Sequence, residues 1–115
     1  MTALDWVAVP LLGGIAALAR FVLISSPRWN FYTGTFVVNI SGSLILGLLS
    51  GAALSGNTEI LLGSATIGSY TTFSTWMFET YHLASEKKLA LAAANVILSL
   101  TVGLGALALG HLITA

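Results

Sequence analysis

Between Trp6 and Ile113 the chain is a near-continuous series of apolar residues, broken only at three short polar stretches: SSPRWN (25–30), SGNTE (55–59) and SEKK (85–88). Crossing about 30 Å of hydrocarbon takes about 20 apolar residues at about 1.5 Å each in a helix. The four runs left between the breaks, about 6–24, 32–54, 60–83 and 89–113, each have that length. With 115 residues in all, they leave no room for a separate soluble domain. The sequence therefore predicts an all-α membrane protein, one four-helix transmembrane domain over 1–115. Helix is the required conformation, because every unpaired backbone group in hydrocarbon costs several kcal/mol.

Charged residues make up 7% of the chain and the net charge is 0, which argues against a nucleic-acid partner. The chain has no cysteine, which excludes disulfides and thiolate metal sites. Asp5 is the one charge before the first run, so the basic head of a cleavable signal is missing and Met1 is expected to stay in the mature protein. Every Lys and Arg flanks the first or third break: Arg20 and Arg28, then Lys87 and Lys88. The positive-inside rule places those two loops in the cytoplasm and both termini outside. Pro27 disfavours continuation of the first helix, and Trp29 and Tyr32 suit an interfacial belt. In the second run Ser43, Gly47 and Gly51 recur every four residues, a stripe that lets another helix backbone approach closely.

The third run is the anomaly. From Ser64 to Thr75, eight of twelve residues carry a hydroxyl, and Gly63 and Gly68 have no side chain. Such a stretch is a poor regular helix, and a break is expected near 68–72. Irregular backbone at membrane depth survives only against protein or a wet cavity, where freed carbonyls commonly coordinate cations. The plainer account, hydroxyls bonding back one turn, serves for single residues better than for the whole cluster.

Other polar groups lie at similar depth. Asn39 sits mid-span and is either interhelical glue or a donor facing an anion path. Asn95 and Ser99 share a helix face with Gly103. Arg20 either snorkels, tethers a loop, or concentrates anions by its field. Glu86 suits a solvated or ion-paired role, whereas Glu79, still inside the span, is a functional candidate. His82 and His111 lie near span ends and make no credible metal site. Phe73 and Trp76 are neighbours on one face among hydroxyls, and the positive edge of an aromatic ring there gives a weakly hydrating surface attractive to an anion.

Three segments carry a resemblance: "GGIAALARF" (13–21), "GTFVVNISGSLILG" (34–47) and "GSYTTFSTWMFE" (68–79). In this order they resemble the Fluc (CrcB) family of fluoride channels over nearly the whole chain, most specifically in the Thr-Thr-Phe-Ser-Thr core. The resemblance implies a dimer of antiparallel four-helix subunits with the third helix broken mid-membrane. A structural sodium ion at the dimer centre would be held by the backbone carbonyls of Gly68 and Thr71. It places Asn39, Phe73, Trp76, Ser74 and Thr75 along the fluoride path, with Asn95 and Ser99 as further candidates. Glu79 would stand near an entryway, and Arg20 would match the family arginine. The sequence departs from the pattern at Ser69, Tyr70, Trp76 and Met77, of which Trp76 matters most because an indole is larger than a phenyl and brings an N–H donor.

The function expected is passive, fluoride-selective export across the plasma membrane by a multi-pass protein with no enzyme activity. Its partners would be the lipid bilayer and an identical or homologous second subunit. Fluoride is small and tightly hydrated, so crossing requires replacement donors of moderate strength along the way. Two alternatives stand beside it. One is a partner-dependent or structural subunit of a heterodimeric channel, in which Trp76 and Met77 mark a spoiled pore. The other is a small multidrug exporter, whose chemistry needs an embedded carboxylate that only Glu79 offers within a helix.

Overall fold

The computed structural model describes residues 2–53 and 56–115. It is all-helical in the order α1 (Ala3–Ile24), α2 (Phe31–Gly51), α3 (Gly56–Glu59), a π-helical segment π1 (Ile60–Ile67), α4 (Gly68–Tyr70), α5 (Ser74–Ser85) and α6 (Leu89–Thr114). Three of the helices, α1, α2 from Tyr32 and α6, are long and apolar enough to cross a membrane. Large apolar side chains cover their outer surfaces, as on α1 at Trp6, Leu11, Ile15 and Leu18.

Local chemistry fixes the ends. Thr2 caps α1 in a reciprocal box, its hydroxyl accepting from Asp5 N (3.3 Å) while Thr2 N donates to the Asp5 carboxylate (2.9 Å). Asp5 is thus a capping residue, a T-x-x-D pattern that was legible at the N-terminus. At the other end of α1, Trp29 Nε1 donates to Leu23 O (2.9 Å), a last-turn carbonyl that also accepts from Ser26 N (3.3 Å). Gly34 makes this possible, since a Cβ there would lie 3.0 Å from Ile24 Cα and still closer to the Trp29 ring. Trp29→Phe is therefore expected to lower stability by about 1 kcal/mol, read as a fall of a few degrees in the thermal unfolding of detergent-solubilised protein. At the charged turn before α6, Glu86 pairs with His82 (2.7 Å) and Lys88 (3.5 Å).

The most intimate packing is between α2 and α6. The stripe of small residues faces α6: Gly103 lies against Ser43, Gly47 against the backbone of Leu107 and His111, and Gly51 against His111 and Thr114. From α6, Gly110 returns the contact to Leu44, Gly47 and Leu48. Thr114 Oγ1 donates to Leu48 O (2.7 Å), and Ser50 Oγ meets His111 Nδ1 (3.1 Å). Where side chains are absent the helices touch by backbone, which is the geometry that small-residue stripes permit.

Where the sequence predicts one span over 60–83, the backbone is divided. π1 carries i→i−5 bonding, with Gly68 N donating to Gly63 O and Thr66 Oγ1 to Leu61 O (2.6 Å). α1 crosses this segment at Gly13, where a Cβ would meet Ser69 Oγ at 3.0 Å and Ala65 O at 3.4 Å. Tyr70 then ends the helical run, Thr71 is extended at φ −81°, ψ 161°, and helix resumes at Ser74.

Candidate functional site

The interruption at residues 71–73 is held from two sides. From α2, the Asn39 side chain pairs with both backbone groups of Thr72: Thr72 N donates to Asn39 Oδ1 and Asn39 Nδ2 donates to Thr72 O, each at 2.9 Å. This is the pair of hydrogen bonds that a neighbouring strand would supply, delivered by one side chain. From α1, Arg20 Nη1 reaches Thr71 O at 3.5 Å. A third tie joins Ser41 Oγ to Tyr70 OH (2.9 Å). α2 comes this close because Gly42 lies beneath the break, where a Cβ would crowd the Thr71 methyl and stand 3.3 Å from the Tyr70 ring.

Breaking the helix redirects its ladder. Thr72 N, which in a continuous helix would bond to Gly68 O, is taken by Asn39. Thr75 N, which would bond to Thr71 O, turns to Thr72 Oγ1 (3.4 Å) and so begins α5 with one N–H satisfied. The carbonyls of Gly68 and Thr71 are thereby released from the helix ladder.

A cavity of about 670 Å³ lies against this break. Asn39, Phe73, Trp76 and Ser99 line it together with Gly68 and Thr71, so six of the residues singled out from the sequence share one wall. Ser43 and Ser50 on α2 and Glu59 line it as well. The Phe73 and Trp76 rings meet in a T-shaped contact, at a 5.6 Å centroid separation and 76° between planes. The Ser99 hydroxyl is buried and without a hydrogen-bond partner among the described residues. One N–H of the Asn39 amide is spent on Thr72 O, and the amide carries a second.

Comparison with known proteins matches residues 7–111 to the model of the family described as CrcB-like protein, Camphor Resistance (CrcB). The chain belongs to the CrcB family. Its relatives include "Fluoride-specific ion channel FluC 2" of Mycolicibacterium paratuberculosis, 44% identical over 110 residues that cover 92% of this chain and 90% of that protein. A protein of the same name from Mycobacterium bovis is 40% identical over 115 residues, 96% and 91% of the two chains. "Fluoride-specific ion channel FluC" of Methylobacillus flagellatus is 39% identical over 112 residues, 89% and 88%.

In this CrcB chain the remaining candidates lie off that cavity wall. Ser74 is exposed at the start of α5, and Thr75 is half-buried beside it. Asn95 is 8% exposed and directs its amide to Thr80 Oγ1 (2.9 Å), bordering a smaller cavity of about 220 Å³ with Tyr32 and Phe36. Glu79 is 5% exposed, and its carboxylate lies beside the hydroxyl of the fully buried Thr35. Arg20 is engaged with the broken backbone, the tethering alternative in geometric form.

Sequence reasoning passed over Thr72, Gly42, Thr35 and Thr80. Gly42 carried a signal, since it precedes Ser43 in a stretch where small residues already marked close approach. Thr72 carried none, because its part is played by its backbone N–H and C=O.

Proposed function

We propose that this CrcB chain is a subunit of a fluoride-selective channel that lets fluoride leave the cell passively across the plasma membrane. The observation that carries the reading is the wall on which Asn39, Phe73, Trp76 and Ser99 converge at a helix interruption. Neutral N–H and O–H donors, with aromatic ring edges between them, can replace part of a hydration shell without binding so deeply that the ion stops. The names of the relatives point to the same ion.

On this reading α3, π1, α4 and α5 together form the remaining crossing, a third membrane passage interrupted at mid-depth, so that the chain crosses four times. An antiparallel second subunit, identical or homologous, would cover the exposed Phe73 and close the cavity into a pore lined from both chains. Ser74 and Thr75 would face the path at the start of α5, Glu79 would influence ions near an entryway, and Arg20 would act at the interruption itself.

The carbonyls of Gly68 and Thr71 suit a sodium ion in kind: both are hard, neutral oxygens released from the helix ladder, and both residues line the cavity. They would hold it together with the same pair from the second subunit. The ion supplies a fixed positive charge that ties the two interruptions together. Arg20, on Thr71 O, leaves that oxygen one lone pair for the ion.

Fluoride efflux from liposomes containing this chain alone, with chloride as control, tests the function. Rapid fluoride loss without chloride loss is the expected result. Efflux that appears only on adding a second homologous chain would assign a partner-dependent subunit, and none under either condition would overturn the proposal. Assembly with a bulky organic cation in place of sodium is expected to weaken the dimer on size-exclusion chromatography; an unchanged dimer would remove sodium from its centre.

A further inference from the structure

Trp76 lines the cavity at the helix interruption, and the structure confines its indole. Its Nε1 donates to Asn95 O on α6 at 3.2 Å. The Asn95 side chain turns back across the same interface to donate to Thr80 Oγ1 (2.9 Å), and Thr80 Oγ1 donates to Trp76 O (2.9 Å). The three residues therefore close a ring of hydrogen bonds between α5 and α6. Trp76 is 9% exposed and Asn95 8%, so water does not compete for these bonds.

The consequence concerns the cavity wall. A free indole N–H is a single strong donor, and in a dry passage it would hold a small anion much more firmly than a ring edge does. Binding of that strength is what a conducting path must avoid. Here the ring stands in the wall and its donor is spent behind it, on a main-chain carbonyl that no substitution of Asn95 would remove. What the Asn95 and Thr80 side chains add is the register of α5 on α6, which keeps Asn95 O opposite Nε1 and the ring in its T-shaped contact with Phe73.

We propose that Trp76, Asn95 and Thr80 form a clamp that withdraws the indole N–H from the ion path, with Asn95 and Thr80 acting as positioning residues. The inference rests on the fluoride-channel reading for its purpose and on the hydrogen-bonded ring for its geometry. It also gives Asn95 a part other than lining the pore.

The chain has three tryptophans, Trp6, Trp29 and Trp76, so indole ¹⁵N labelling of the full chain in lipid nanodiscs gives three N–H signals, with that of Trp76 assigned by its loss in Trp76→Phe. In the wild type the Trp76 signal should exchange with solvent at least about tenfold more slowly than that of Trp6, and it should not move on titration with sodium fluoride. Thr80→Val removes the hydroxyl at nearly constant volume. It should make the Trp76 signal fluoride-sensitive and reduce efflux about 5-fold, while Thr80→Ser should behave as wild type. In the Trp76→Phe background Thr80→Val should cost no further flux, because no indole donor is left to be released. A wild-type indole signal that shifts with fluoride, or an equal flux loss from Thr80→Val in both backgrounds, would overturn the clamp. If the wild type conducts neither alone nor with a second homologous chain, the channel reading falls, and the exchange and titration of the indole still decide whether the donor is withdrawn.

Discussion

Asn39→Asp is expected to abolish fluoride efflux at neutral pH, a loss of at least about 100-fold. Two effects act in one direction. The carboxylate keeps an acceptor for Thr72 N but has no donor for Thr72 O, so two oxygens now confront each other at a distance where the amide made a 2.9 Å bond. A negative charge also appears on the wall of an anion path. An acidic group at membrane depth costs roughly 3 kcal/mol on insertion scales, and about 1.4 kcal/mol of added barrier is a factor of ten in rate. Asn39→Ala separates the two effects: it adds no charge but leaves the Thr72 N–H and C=O without the amide, at about 1–3 kcal/mol for each group that finds no water. It should unfold at lower temperature while keeping measurable flux. Efflux from Asn39→Asp at the wild-type rate would remove Asn39 from the path and leave it a purely architectural residue.

The double attachment of Asn39 shows how far the sequence could be read. A buried amide mid-span needs partners, and the two possibilities, interhelical tie or pore donor, were both open from composition alone. The structure makes the tie explicit and leaves one N–H for the cavity, so the two are compatible. The choice was illegible because the partner is the backbone of Thr72, and backbone availability depends on where the helix breaks. The break itself was signalled by hydroxyl density and by Gly63 and Gly68. Its expected place, near 68–72, overlaps the departure at residues 71–73 but starts too early: Gly68–Tyr70 is still helical, since Thr71 N reaches Ile67 O at 3.0 Å. The π-helical bonding of 60–67 had no sequence signature beyond the same weak helix propensity. By contrast, the ends of the three long helices follow the polar breaks closely, because solvation of loop residues and the length needed to cross hydrocarbon constrain them independently of any partner. Asn95 shows the opposite limit. It lies four residues from Ser99 on α6, yet the two residues serve different neighbours, Thr80 for one and the main cavity for the other.

Gly47→Ala is expected to destabilise the fold strongly, and Gly105→Ala to leave it unchanged or slightly more stable. Both glycines lie inside helices and carry the same gain in helix propensity on substitution, about 0.5–1 kcal/mol. Their surroundings differ. A Cβ at Gly47 would stand 2.9 Å from Leu107 C and 3.1 Å from His111 N, with Leu107 O nearer still, whereas at Gly105 nothing lies within 4 Å. The obstructing atoms at Gly47 are main chain, so no rotamer change relieves the overlap and α2 and α6 must separate. Separation breaks more than one contact: Gly110 faces Leu44 and Leu48 across the same seam, and Thr114 Oγ1 bonds to Leu48 O. Overpacking of this kind costs about 1–3 kcal/mol in a core that can adjust, and a rigid backbone seam belongs at the upper end. Because Ser43 and Ser99 line the cavity from these two helices, their separation also widens the proposed path, so flux and fluoride-over-chloride selectivity should fall together with stability. Thermal unfolding of the two variants in one detergent, alongside efflux of both ions, separates this account from a general loss of apolar burial. Equal unfolding temperatures for Gly47→Ala and Gly105→Ala would mean that the seam is not closed by backbone contact, and the small-residue stripe would then need another purpose.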